Sequence, residues 1–391
     1  MIELQQSPTE PAFVQNPYPF YERARVAGPF FRWQDYGLIC TGNSAAVNAI
    51  FRDRRFGREP VEPLVVPPHL APFYAVEAHS MLELEPPRHT RLRSLVLRAF
   101  TSRRIAGLAP DVTALAEELV AAFPPGEFDL LAAFAQPLPV RIIARLLGVP
   151  ESMAPDLLRW SNAMVAMYMA GRTRAMEDRA VAATEAFVAF MRSYVEERRA
   201  RPADDLITQL IAAEMEGERL TTDELITTCI LLLNAGHEAT VHTIGNGVKT
   251  LLETGTPATT LGPDQVEATV EEILRFDPAL HMFTRWAYED VEVMGHTFHR
   301  GDQVGLLLGM ANRDPSVWED PARFAPARLV KPIATFGAGL HFCVGAPLAR
   351  LELQVALPIL FQHHPNLALA KAPQYADVFH FHGLRELCVR T

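Results

Sequence analysis

FGAGLHFCVG, residues 336–345, sets one cysteine, Cys343, among three glycines and directly ahead of an apolar-periodic stretch, APLARLELQVALPILFQHH. The pattern predicts a loop through Gly337 and Gly339, then Cys343, then a helix opening at Gly345, with Pro347 tolerated in its first turn. A cysteine at a helix N-terminus meets unpaired N–H groups and the positive end of the helix dipole, and both favour thiolate over thiol. The glycines allow tight turns and the close approach of a flat ligand. A thiolate so placed suits a nucleophile, a redox sensor or a metal ligand. His341, two residues away, offers a base for the first of these. The residue types alone leave all three open.

A second stretch, AGHEATVH at 235–242, looks at first like the HExxH helix of zinc peptidases. Histidines at i and i+4 stand about 40° apart on a helix and share one metal. His237 and His242 are five residues apart, which separates them by about 140°. They cannot ligate one zinc from an intact helix, and the peptidase reading fails on that geometry.

The sequence has 391 residues, 49% of them hydrophobic, enough for a large core. A net charge of −10 and the lack of any long Lys/Arg run argue against a nucleic-acid partner. The N-terminal MIELQQSPTEPAF lacks the basic and apolar regions of a signal peptide, and the apolar LITTCILLLNAG is too short for a bilayer span. The expectation is a cytoplasmic protein with no membrane segment. Cys40, Cys229, Cys343 and Cys388 form no CxxC pair, so no zinc knuckle or dithiol motif is present. Cys40, Cys229 and Cys388 are expected to be packing residues. The 31 prolines fall largely between apolar-periodic segments, as helix starts and stops. With no repeat, low-complexity tract or linker, one domain spanning 1–391 is expected.

Residues 31–42, FRWQDYGLICTG, read as strand. From 87 to about 253 the pattern is mostly helical, starting with PRHTRLRSLVLRAF after a double proline. The segment LTTDELITTCILLLNAGHEATVHTIGNGVKTLLET is unusually long, opens on a capping-box pattern at Thr221 or Thr222, and is apolar nearly all round its centre. It should run through the middle of the protein. VEEILRFDP is a helix ended by proline, RWAYEDVEVMGHTFHRGDQVGLLLG is strand-rich, and the tail VFHFHGLRELCVR alternates like a strand. The sum is a mainly α protein with a smaller β region.

FGAGLHFCVG also resembles the heme-binding signature of the cytochrome P450 monooxygenases, FGxGxHxCxG, at every specified position. Four more segments are similar to that family in the same order along the chain. EEILR carries Glu272 and Arg275 of an ExxR helix. ANRDPSVWEDPARFAPAR resembles the segment that supplies a further arginine, Arg328. EPPRHTRLRSLVLRAF resembles the helix packed beside heme, and AGHEAT the distal motif of the long central helix. The likeness runs from NPYPFYERAR onward and is to the soluble bacterial branch.

The resemblance implies the cytochrome P450 fold, with heme b between the long central helix and the cysteine loop. It makes Cys343 the axial thiolate on the heme iron, pushing electron density toward O–O cleavage. It places His89, Arg93, Arg285 and His341 on the heme propionates, and Ala235 and Gly345 against the heme. Glu272, Arg275 and Arg328 become a bracing ion network. Glu238 and a neighbouring hydroxyl would carry protons to bound O2. Here the chain departs from the family: Ala239 stands where a threonine is usual, and Thr240 follows one place later, about 100° further round the helix. Asn234, Ala239, His281, Met282, Phe283, Phe379 and Phe381 are expected to line the substrate pocket. They suit a medium-sized, mostly apolar molecule whose one polar handle meets Asn234 or His281. Electrons are expected from a separate ferredoxin and its NAD(P)H-dependent reductase, drawn to Arg88, Arg91, Arg98, Arg103 and Arg104. The rival readings are a peroxide-driven peroxygenase and a non-catalytic heme sensor. The retained Glu238 favours the O2-using monooxygenase.

Overall fold

A computed structural model describes residues 1–215 and 218–391. About 53% of the chain is helical, with a smaller sheet part, as the sequence pattern requires. Seven helices build the surroundings of the site: α1 (Arg88–Ala99), α2 (Pro137–Leu147), α3 (Ala154–Val165), α4 (Arg174–Ala200), α5 (Thr222–Glu253), α6 (Val266–Phe276) and α7 (Ala346–His363). Among the described residues no helix is long and apolar enough to cross a membrane.

Helix α5 is the axis of the molecule. Its start is fixed by a capping box: the Thr221 hydroxyl accepts the Glu224 N–H at 3.2 Å and Glu224 Oε2 accepts the Thr221 N–H at 2.9 Å. Helices α2, α3, α4, α6 and α7 all pack on it. Two of its glycines mark contacts too close for a side chain. A Cβ on Gly245 would sit 2.8 Å from Leu131, and one on Gly247 would sit 2.9 Å from Ile273 of α6. Glycine inside a helix costs about 1 kcal/mol against alanine, which this close packing offsets.

A six-stranded sheet flanks the helices, formed by β1 (Ile2–Leu4), β2 (Phe31–Trp33), β3 (Leu38–Thr41), β4 (Phe56–Gly57), β5 (Met282–Ala287) and β6 (Gln303–Leu307), in the order β1-β2-β3-β6-β5-β4. The expected strand at 31–42 is a hairpin, β2 to β3, turning at Gly37 with φ of 64°. Strand β5 pairs antiparallel with β6, Phe283 opposite Leu306 and Arg285 opposite Val304. Side chains alternate across a strand, so Phe283 and Arg285 share one face and Met282 takes the other.

The tail is less regular than its alternating sequence predicts. Only Leu384–Glu386 and Cys388–Arg390 are strands, and the Phe381 N–H closes a turn onto the Val378 carbonyl at 2.9 Å. That turn buries Phe379 in an aromatic cluster with Phe13, Tyr21 and Trp33.

Candidate heme site

The cysteine loop is held from both sides. A single helical turn spans Gly339–His341, and the Cys343 N–H returns to the Phe336 carbonyl at 3.0 Å. Gly339 has φ of 68°, and a Cβ there would lie 2.2 Å from the Phe51 carbonyl oxygen, so only glycine fits. Arg93 from α1 donates to the Phe342 carbonyl at 2.5 Å. Cys343 is exposed, yet burial of its sulfur among protein atoms raises its thiol pKa. The two facts agree if the sulfur faces a space enclosed by protein.

Burial is the largest influence on Cys343 and opposes the thiolate, while the N–H groups of Gly345 and Ala346 and the charges of Arg93 and Arg350 favour it. The helix start expected from sequence is therefore present but does not by itself free a thiolate. A bound cation changes this, since a coordinating thiol is deprotonated outright.

The same signature, openness inside a packed region, appears midway along α5. Asn234, Ala235, Glu238, Ala239 and His242 are incompletely buried, whereas Leu233, His237, Thr240 and Val241 between them are buried. Those positions form one stripe at helical spacing. Helix α5 also packs on α7, the helix that follows Cys343.

Around the cysteine lies a set of cationic and imidazole donors short of partners. His89 is fully buried, and neither ring nitrogen has a hydrogen-bond partner. Burial first, then His341 and Arg93, pushes its pKa down to about 4. Arg285 is 4% exposed, and among the described residues it forms no ion pair; its Nη1 donates to the Thr284 carbonyl at 2.7 Å. Burial, then the like charge of Arg58, pulls its pKa down to about 9. His341 stands 4.3 Å from His89, centroid to centroid, with its Nε2 2.9 Å from Glu85 Oε1. Buried donors of this kind are rare unless an acceptor comes with a ligand. A cleft of about 220 Å³ lined by Glu59, Glu85, Tyr288 and Arg300 opens outside this cluster and touches it only through Glu85.

The bracing network is closed. Arg275 meets Glu272 bidentately, Nε to Oε2 and Nη2 to Oε1, each at 2.7 Å. It also donates to the carbonyls of Asn312, Pro321 and Arg323, and Arg328 Nε lies 3.4 Å from Glu272 Oε1.

The family model described as Cytochrome P450 matches residues 265–367, the part that holds this network and the cysteine loop. The "Biotin biosynthesis cytochrome P450" of Bacillus subtilis (strain 168) is 35% identical over 390 residues, covering 96% of this chain and 96% of that protein. This chain belongs to the cytochrome P450 family. The "Cytochrome P450 monooxygenase PikC" of Streptomyces venezuelae is 36% identical over 379 residues, covering 92% of this chain and 87% of that protein. A solved structure, "P450BioI in complex with hexadec-9Z-enoic acid ligated Acyl Carrier Protein", superposes with a TM-score of 0.92 at 32% identity, covering 98% of this chain and 100% of that one. The chain is thus a cytochrome P450 monooxygenase whose cofactor is heme b.

The residues here fit that cofactor. Near the exposed Cys343, His89 is buried with both ring nitrogens unpartnered and Arg285 is buried with no ion pair among the described residues, so both can serve the two carboxylates of that cofactor.

Several pocket residues expected from sequence lie elsewhere. His281 is fully buried, its Nδ1 2.8 Å from the Tyr21 hydroxyl and its Nε2 3.8 Å from Asp277, so it belongs to a core network. Met282 points to the far face of β5, into the same cluster as Phe379. Phe283 instead packs on Phe51 and lies beneath Arg58. Phe381 contacts His242 at 5.7 Å between ring centroids. Thr240 is buried and gives its hydroxyl to the Gly236 carbonyl at 3.2 Å. The arginine patch is smaller than expected: Arg88 pairs with Glu59, Arg91 with Glu224 and Arg104 with Asp204.

Two further residues of the site, Glu85 and His242, have no role that the family motifs give. Glu85 stands one turn before His89 in a quoted motif, and His242 stands at i+4 from Glu238. That spacing was legible as an interacting pair.

Proposed function

We propose that this monooxygenase oxidises a medium-sized, mostly apolar molecule with one polar handle, drawing electrons from a separate ferredoxin and NAD(P)H-dependent reductase, and that it works as one cytoplasmic domain, residues 1–391. Bound heme supplies reductive activation of O2 and insertion of one oxygen atom into the substrate. The chain's residues do the rest. Cys343 Sγ would ligate the iron. Arg93 and Arg285 would pair with the propionates, His89 and His341 would donate hydrogen bonds to them, and Ala235 and Gly345 would leave room for the ring. Glu272, Arg275 and Arg328 hold the cysteine side rigid. Ala239 and Phe381 give the pocket apolar surface, with Phe283 on the β5 face it shares with Arg285.

The observation that carries this reading is the open stripe on α5, apolar at Ala235 and Ala239 and polar at Asn234 and Glu238. Asn234 Oδ1 is buried without a partner, while its Nδ2 reaches only the Met164 sulfur at 3.7 Å. An amide with a spare oxygen suits a hydroxyl or N–H on an otherwise apolar substrate. With His281 in the core, Asn234 takes the handle. The relative solved with an acyl carrier protein brings long acyl chains into the class to be tested.

The experiment is a ligand screen read by the heme spin-state shift, followed by turnover with ferredoxin, reductase and NADH, or with peroxide alone. Apolar ligands bearing one hydroxyl or amide should shift the spectrum, and Asn234→Leu should abolish their advantage over plain hydrocarbons. Peroxide-driven turnover outpacing the ferredoxin system would replace the O2-using reading with the peroxygenase. Heme binding with no ligand shift and no turnover in either system would favour the sensor.

A further inference from the structure

This inference rests on the reading of α5 as the oxygen-binding helix. Ala239 brings no hydroxyl to that face. The two nearby threonines do not replace it. Thr240 donates to the Gly236 carbonyl at 3.2 Å, and Thr243 donates to the Ala239 carbonyl at 2.7 Å. Both hydroxyl protons are engaged by their own helix, and both side chains are buried. The titratable groups on the face are Glu238 and His242. Glu238 Oε1 lies 3.3 Å from His242 Nε2, and Glu238 Oε2 lies 3.3 Å from His237 Nε2.

The two histidines differ. His237 is 1% exposed, its Nδ1 donates to the Leu233 carbonyl at 2.9 Å, and its Nε2 also faces Asn162 at 3.3 Å. Both of its nitrogens already face protein groups, so it has none left to exchange a proton with water. His242 lies on the open stripe, but its Nδ1 is buried and has no protein partner. Gly383 lies against that nitrogen; a Cβ there would come within 1.9 Å of it. Phe381 covers the ring. One nitrogen meets the carboxylate, and the other is buried with no protein partner, a state that an enclosed water relieves; with both nitrogens so engaged an imidazole can pass a proton through.

We propose that Glu238 and His242 form a carboxylate–imidazole dyad that feeds protons to the oxygen-binding face in place of the hydroxyl missing at position 239. A proton enters at His242 Nδ1 from water. The proton on Nε2 passes to Glu238 Oε1, and the carboxyl releases it toward the open stripe. Uptake adds one positive charge to the dyad and release removes it; the ring is then left with its proton on Nδ1, and return of that proton to Nε2 through water resets the relay.

The test compares His242→Leu, His242→Gln and the double variant Ala239→Thr/His242→Leu in the reconstituted enzyme. Formation of the thiolate-type carbon monoxide adduct and a ligand-induced spin shift in each variant shows that the heme reading stands, separately from the dyad. Product per NADH should fall at least fivefold in both single variants, with little change in ligand affinity. Ala239→Thr should restore most of it in the double variant. Glutamine can still donate to Glu238 but cannot pass a proton on, so full coupling in His242→Gln overturns the relay. Independent of turnover, the C–O stretch of the ferrous carbon monoxide adduct should move in Glu238→Gln and also in His242→Leu. A shift in the first without the second overturns the dyad.

Discussion

Two buried polar clusters in this molecule are built from similar side chains and end in opposite states. In the Glu272–Arg275–Arg328 network every charge has its partner: Arg275 serves one carboxylate and three carbonyls, and Glu272 also accepts the Ala325 N–H at 2.8 Å. In the His89–Arg285 cluster the donors outnumber the acceptors, and His89 has none. Burying an unpartnered donor costs roughly 1–3 kcal/mol. A fold carries that cost where a ligand removes it. The closed cluster stabilises architecture, and the open one marks the cofactor.

The largest expected effect lies in the closed cluster. Arg275→Ala leaves Glu272 as a buried, uncompensated charge, a loss of about 3–5 kcal/mol. Folded protein should be nearly absent, with or without heme, by yield and circular dichroism. Normal folding of this variant would break the contrast. In the open cluster the sign depends on the cofactor. Arg285→Leu removes a buried cation that has no ion pair among the described residues, so the apoprotein should melt at the same temperature or higher. The holoprotein should lose a charge-assisted hydrogen bond worth about 1.5–3 kcal/mol, seen as heme dissociation at least tenfold faster. Equal destabilisation of apo and holo forms would make Arg285 an ordinary structural residue.

A smaller, pH-dependent effect comes from two buried histidines outside both clusters. His281 and His380 are held neutral, burial being the largest cause, with pKa values pushed down to about 4. In the unfolded chain they titrate near about 6.5. Between these values the unfolded state binds more protons, so stability is fully present above about pH 6.5 and falls as pH drops toward about 4. Denaturant melts at stepped pH should show that slope, and His380→Phe should flatten it.

Much of this was legible in the sequence. The long central helix, its capping box, the cysteine loop and the Glu272–Arg275 pair are local patterns, and local patterns survive folding. The misplaced residues depend on long-range facts. Strand β5 was read as one stretch near the substrate, but its alternation sends Met282 and Phe283 to opposite faces. Phe379 was read from an alternating tail, but a turn at Val378–Phe381 carries it into the aromatic cluster. His281 looked like a pocket residue until Tyr21, 260 residues away in sequence, and Asp277 claimed its ring. The basic patch was counted without its acids, Glu59, Glu224 and Asp204, which come from other elements. His242 fails as half of a zinc pair, and its spacing of four from Glu238 is the local signal of its actual partner.

All of these assignments depend on sulfur at position 343 ligating iron. The direct measurement is the absorption spectrum of the reduced protein under carbon monoxide, taken for the wild type and for Cys343→Ala at matched heme content. The account predicts the far-red-shifted Soret band of a thiolate adduct in the wild type and its complete loss in the variant. An unshifted band in the wild type, or a shifted one that survives the substitution, would contradict it.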